Sequence, residues 1–152
     1  MALALLRQAA IFHDLDEGEL ARVLEICKEQ KFQSAATVFK EGEPSNRLYI
    51  IAEGDVRISR IVPGSGEEAL AVLKPGTCFG EMGIFDRSER STDAIANTDC
   101  TLLTIPRSDF ELLLDFNRDI AYKVLWAVVR LLSGRLRVTN DNLRSFLAMS
   151  MF

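Results

Sequence analysis

The chain has 152 residues, enough for one domain with a sizeable core, and its formal net charge of −4 is a poor basis for gripping nucleic-acid phosphates. Cys27, Cys78 and Cys100 are odd in number and far apart, with no Cys-x-x-Cys pair, and His13 is the only histidine. A disulfide framework, a zinc site and a histidine-ligated metalloenzyme are therefore not indicated, and the thiols read as reduced core residues of a cytoplasmic protein.

The N-terminus, Met1 to Arg7, lacks the basic lead and the long apolar run of a signal peptide. The longest later apolar stretch, Val124 to Leu132, is broken by Arg130, so no membrane span is expected. Residues up to Phe12 read as a short amphipathic helix or turn. Asp16-Glu17-Gly18-Glu19 then offers an acidic cap with a glutamate three residues on, opening a helix that buries Leu20, Val23, Leu24 and Cys27. His13 falls in the connecting loop and is read as exposed or bonded to backbone.

From Lys31 to Ile105 the pattern changes to short β-like runs punctuated by Gly42-Glu43-Pro44, Glu53-Gly54, Pro63-Gly64-Ser65-Gly66 and Lys74-Pro75-Gly76. Val56 and Ile58 alternate with Asp55, Arg57 and Ser59. Leu70 and Val72 alternate with Ala69, Ala71 and Leu73. Many short strands with glycine turns indicate a sandwich or jelly roll.

After Pro106 the period returns to helix. One helix starts at Pro106-Arg107-Ser108-Asp109-Phe110 and presents Phe110, Leu113 and Leu114 on a face. A longer one runs from about Arg118 to Leu147. Its residues Leu125, Val129, Leu132, Leu136, Thr139, Leu143 and Phe146 fall alternately four and three apart, the spacing of a two-helix seam. The early part, around Leu125 and Val129, could equally cover the chain's own β-roll, whereas the later part extends beyond it, which points to a parallel homodimer. The expected organisation is a single domain, with N-terminal helices over about residues 1–28, a β-roll over 29–105 and C-terminal helices over 106–152.

The chemistry concentrates in Phe79-Gly80-Glu81-Met82-Gly83-Ile84-Phe85-Asp86-Arg87-Ser88-Glu89-Arg90-Ser91. Gly80 lets backbone approach closely, and a short helix from Glu81 or Met82 would aim unpaired N–H groups, through Gly83, at an anion. Arg90 adds a planar fork suited to two phosphate oxygens, and Ser91 adds a hydroxyl. An ionised Glu81 only accepts, so its natural partner is a ligand hydroxyl such as a ribose 2′-OH. A phosphate and a ribose hydroxyl within one loop's span suggest a compact nucleotide.

At these residues the sequence resembles the phosphate-binding cassette of the cyclic nucleotide-binding domains, as in bacterial cyclic AMP receptor proteins and protein kinase A regulatory subunits. The match is Phe79-Gly80-Glu81-Met82-Gly83-Ile84, a loop, then Arg90-Ser91. Lys40-Glu41-Gly42-Glu43-Pro44 and Leu48 to Gly54 look like the family's structural glycine turns. The resemblance implies a mainly β double-stranded β-helix, or jelly roll, with N-terminal helices and a long C-terminal helix. It implies a cyclic nucleotide held by Gly80, Glu81, Met82, Gly83, Arg90, Ser91 and Thr92, with Ile58, Leu70 and Ala71 near sugar and base. The pair Thr139-Asn140 matches the place where the bacterial receptors touch adenine. Cyclic AMP is the expected ligand and cyclic GMP the second candidate. One departure is Asp93, whose charge is expected to weaken phosphate binding unless strand alternation turns it away.

Three other classes compete with this reading. A cupin-type enzyme needs a histidine cluster, and no nucleophile, base and orienting group can be assembled, so no catalytic or metal-ligating residue is assigned. A transcription factor would carry a helix-turn-helix after the long helix, where this chain ends, so the expectation is a stand-alone sensor without nucleic-acid or membrane partners. The remaining alternative is a ligand-free roll serving as a dimerisation scaffold, with Glu81 and Arg90 forming an ion pair across the loop.

Overall fold

The computed structural model describes residues 2–151. In chain order, α1 (Ala2–Gln8), a 3-10 turn (Ala10–Phe12) and α2 (Glu17–Glu25) precede β1 (Lys28–Phe32), β2 (Thr37–Phe39), β3 (Arg47–Glu53), β4 (Val56–Val62) and β5 (Gly66–Leu73). There follow β6 (Cys78–Phe79), α3 (Met82–Asp86), β7 (Asp93–Ala96), β8 (Cys100–Pro106), α4 (Arg107–Phe116) and α5 (Arg118–Ser150). The strands form two antiparallel four-stranded sheets, ordered β1-β8-β3-β6 and β2-β7-β4-β5. This is the mainly β roll with flanking helices that the glycine punctuation and the resemblance imply.

The near-continuous apolar run of β3 is explained by burial on both faces. Alternate side chains of a strand point to opposite sides, so Leu48 and Ile50 enter one core with Phe12, Phe110 and the helices, while Tyr49 and Ile51 enter the other, inside the roll. The second core also holds Phe39, Val56, Phe79 and Leu102. Phe79 stacks on Tyr49 with ring centroids 5.1 Å apart, which fixes the residue immediately before Gly80.

The helices brace this roll. The Asp16 carboxylate accepts from the Glu19 N–H at 2.8 Å and the Asp16 N–H donates to the Glu19 carboxylate at 3.0 Å, the reciprocal cap expected at the start of α2. Lys123 of α5 donates to the same Glu19, tying the two helices together. His13 lies exposed in the turn before α2.

On α5 the open question of which stripe meets the roll is resolved, and in β5 one expectation is corrected. The face of α5 that meets its own roll is Ile120, Val124, Ala127 and Val128, which are buried, whereas Leu125 and Val129 are about half exposed. The expected seam is therefore a neighbouring stripe that lies bare along its length: Leu132, Leu136, Leu143 and Phe146 are exposed too. In the β4–β5 hairpin, Val56 faces Leu73 and Ile58 faces Ala71, then a bulge shifts the register so that Ser59 faces Ala69. Leu70 is the extra residue of that bulge. It is exposed, as is Val72 across from the outward Arg57, while Ala71 and Leu73 share the inner side with Ile58 and Val56, and of these two Leu73 lines the cavity.

Candidate functional site

The corner between β6 and α3, the Arg90–Thr92 segment leading into β7, and the facing sides of β4 and β5 enclose a cavity of about 310 Å³. Gly80, Glu81, Met82, Gly83, Arg90, Ser91 and Thr92 all line it, as does Ile58. Its size falls at the lower end of ordinary small-ligand sites.

Gly80 is required by the backbone itself. It has φ +77°, and a Cβ there would lie 2.7 Å from Arg90 Nη1. Gly83, in the first turn of α3, is pressed against the Ser45 side chain, so a Cβ would collide with it. These two positions let the chain wrap closely round the cavity.

Arg90 is 5% exposed. Its Nη1 donates to the Gly80 carbonyl at 2.9 Å and its Nη2 to the Arg47 carbonyl at 2.6 Å, while the guanidinium carbon lies 4.2 Å from the Phe39 ring centroid. Its Nε is buried and has no hydrogen-bond partner among the described residues. Burial pulls the guanidinium below its usual pKa, and the charges of Tyr49, Glu43 and Glu81 oppose that pull. A buried cation held by two neutral carbonyls, with its Nε unspent, is a cation without a counter-anion in hydrogen-bond contact among the described residues.

Glu81 is 3% exposed, and its Oε1 accepts from Arg135 Nη2 of α5 at 3.0 Å. It makes no ion pair with Arg90 among the described residues, so the cross-loop pair expected of a scaffold is not what the structure contains. The guanidinium and the carboxylate line one shared hollow, each with separate support.

Asp93 is not among the cavity residues. Its Oδ1 accepts from the Glu41 N–H at 2.8 Å, so the acid that was expected to weaken phosphate binding is spent on the Lys40–Pro44 turn.

Leu70, Ala71, Thr139 and Asn140 lie outside the cavity. Leu70 falls on the outer side of the hairpin with Val72, and Ala71 shares the inner side with Ile58 and Leu73 but is exposed. Thr139 and Asn140 are exposed on α5, and Thr139 Oγ1 donates to the Arg135 carbonyl at 2.9 Å within its own helix. The cavity residue that sequence reasoning missed on this helix is Arg135. It lies four residues before Thr139, hence on the same face, which is the signal that could have found it. Phe39, Ser45, Leu73, Thr77 and Cys78 were also missed. Burial, reinforced by the nearby Glu81, pushes the Cys78 thiol well up, so this cysteine is a neutral wall and not a nucleophile.

The family model described as a cyclic nucleotide-binding domain matches residues 29–117. The chain belongs to that family. It is 34% identical over 139 residues to a CRP-like cAMP-activated global transcriptional regulator of Mycobacterium tuberculosis, a match covering 91% of this chain and 60% of the relative. The N-terminal domain of a transcriptional regulator from Streptomyces coelicolor superimposes with a TM-score of 0.79 at 34% identity, covering 90% of this chain and 95% of that one. The regulatory domain of Toxoplasma gondii PKA, crystallised with cAMP, gives a TM-score of 0.69 at 28% identity, over 74% of this chain and 42% of that one. The match spans 60% of that Mycobacterium tuberculosis relative, 49% of a cyclic AMP receptor protein of Thermus thermophilus, and a smaller share of others. The Mycobacterium and Streptomyces proteins are named as transcriptional regulators and the Toxoplasma one as a regulatory domain. No helix among the described residues is long and apolar enough to cross a membrane.

Proposed function

We propose that this domain binds a cyclic nucleotide, cyclic AMP before cyclic GMP, as a non-catalytic sensor whose long helix α5 carries the signal onward. The observation that carries this reading is the pairing of a buried unneutralised Arg90 with a buried Glu81 on one hollow. A ligand that presents an anion to the first and a hydroxyl to the second satisfies both, and a cyclised ribose phosphate is compact enough to do so. Arg90 neutralises the cyclic phosphate, helped by Ser91 and by the backbone N–H groups of Glu81 to Gly83 at the start of α3. Glu81 accepts the ribose hydroxyl on an oxygen that Arg135 leaves open.

Ile58 and Leu73 supply the apolar wall for the sugar and base. Thr139 and Asn140 cap the base in this reading, reaching a ligand that extends from the cavity along α5, one turn beyond Arg135. The bare stripe from Leu125 to Phe146 supports a homodimer through α5, since exposed apolar surface continued along a helix is normally covered by a partner.

Titration of the purified domain with cyclic AMP, cyclic GMP and linear AMP, followed by melting temperature, tests the reading. Stabilisation grows with ligand concentration over its dissociation constant. A rise with cyclic nucleotides that exceeds the rise with linear AMP is expected. No shift with any of the three at millimolar concentration refutes the sensor.

A further inference from the structure

The Lys40–Pro44 turn between β2 and β3 is laced to Arg90 on both sides of its peptide. The Gly42 N–H donates to the Arg90 carbonyl at 2.8 Å, and the Arg90 N–H donates to the Glu43 carbonyl at 2.8 Å. Pro44 and Glu89 form an isolated antiparallel bridge just beyond. Arg90 lies in the connection between α3 and β7, outside any regular element, so these bonds give its backbone the support that a sheet would otherwise give. The turn in turn needs something to set its own position. Its Glu41 N–H donates to Asp93 Oδ1 at 2.8 Å, and Asp93 opens β7, paired in register with Ser59 of β4.

We propose that Asp93 is a positioning residue for the anion site. Its carboxylate pins the Lys40–Pro44 turn to the sheet, and the turn clamps the Arg90 backbone so that the guanidinium is presented to the cavity already ordered. The order of events in space is Asp93 to Glu41, Gly42 and Glu43 to Arg90, and Arg90 to ligand. Asp93 touches no ligand in this scheme. An acid three residues from the phosphate-binding arginine therefore helps binding, because the ordering it provides is no longer drawn from the binding energy. This inference rests on the reading of Arg90 as the phosphate holder.

The acceptor, and not the charge, is what the geometry uses. Asp93→Asn keeps an oxygen for the Glu41 N–H, whereas Asp93→Leu keeps the size and removes the acceptor. Losing one such bond corresponds to about a three- to tenfold weakening of cyclic AMP binding, and Asp93→Leu is expected to show it by calorimetry while Asp93→Asn stays within about twofold of the parent. In an Arg90→Lys background, where the fork is gone, Asp93→Leu is expected to add less than it does alone. A ligand-free measurement separates this idea from the ligand assignment: hydrogen exchange at Arg90 Nε, followed by nitrogen-detected NMR, is expected to be slow in the parent and in Asp93→Asn, and faster in Asp93→Leu. Unchanged exchange in Asp93→Leu, wild-type affinity in that variant, or an equal loss in Asp93→Asn each overturns the positioning role. A parent protein with ordered Arg90 that binds no cyclic nucleotide instead refutes the sensor reading.

Discussion

Replacing Arg90 with alanine separates what the arginine does for the fold from what it does for the ligand. In the unliganded protein the substitution removes two charge-assisted hydrogen bonds, to Gly80 at 2.9 Å and to Arg47 at 2.6 Å. Each such bond contributes about 1.5–3 kcal/mol. Against that stands the desolvation of a side chain that is 5% exposed, a penalty of several kcal/mol that the alanine variant no longer carries. The two effects oppose each other, so the melting temperature of the unliganded domain is expected to move little. In the complex no such offset exists, because the phosphate would be left in a hollow without a cation. Leaving one member of a buried charged pair unsatisfied costs about 2–5 kcal/mol, which corresponds to roughly thirty-fold to a few thousand-fold in dissociation constant.

Isothermal calorimetry with cyclic AMP on the folded variant measures this. Arg130→Ala is the control: its side chain is 65% exposed, paired with Asp14 at 2.9 Å, and outside the cavity, so it changes the long-range field but not the site. It is expected to weaken binding by about twofold or less. Wild-type affinity in Arg90→Ala, or an equal loss in Arg130→Ala, refutes the assignment of Arg90 as the phosphate holder.

Arg135→Ala leaves the nearly buried Glu81 without the cation it now has, so the unliganded melting temperature should fall; because Arg135 is half exposed, the loss is closer to 1 kcal/mol than to the cost of a fully buried pair. Scanning calorimetry showing no fall would mean that the ion pair contributes nothing. Leu136→Asp, placed in the middle of the bare stripe, should convert a dimer into a monomer in sedimentation equilibrium without unfolding the roll, and an unchanged association state would remove α5 from the interface. Burial pushes the Cys27 thiol up to about 12 from an ordinary value of 9.0. A folded pKa above the unfolded one gives stability that is fully present below about pH 9 and lost as the pH rises towards 12. Chemical denaturation should therefore show a decline above pH 9 that is shallower in Cys27→Ala, and equal slopes in the two proteins would refute it.

The parts legible in the sequence are those whose cause is local. The reciprocal cap at Asp16 and Glu19, the glycine turns, and the close order of Gly80, Glu81, Arg90 and Ser91 all depend on residues near one another in the chain. What escaped depends on registers between distant segments. Leu70 and Ala71 have the composition of a pocket edge, but Leu70 falls on the outer side with Val72, and Leu73, opposite the inward Val56, is the β5 side chain on the cavity wall. On α5 two apolar stripes lie side by side, Ile120-Val124-Val128 and Leu125-Val129-Leu132-Leu136, and periodicity alone does not say which one the roll covers. In the sequence the early turns are open between roll and seam for that reason, and the structure puts Leu125 and Val129 with the exposed stripe. Asp93 escaped for a related reason: its charge is visible in the sequence, while the Glu41 N–H that accounts for it lies 52 residues away.

The position of Arg135 explains how a cavity in the roll could govern a surface on the helix. Among the described residues it is the one α5 side chain that lines the cavity, and it lies between Leu132 and Leu136 of the bare stripe. Helix α5 runs unbroken from Arg118 to Ser150, about 50 Å at 1.5 Å per residue, so a rotation imposed at Arg135 is carried to the whole stripe rather than absorbed locally. Ligand binding need not break the Arg135–Glu81 pair to cause such a rotation. It need only place a hydroxyl on the carboxylate and so change where the shared hydrogen bonds are best made. The size of the response is then bounded by how much better the ligand fits one helix position than the other, since equal fit to both would shift nothing however tight the binding. In the sensor reading proposed above, the contact from roll to helix through one half-exposed arginine is the place where such a difference would be felt.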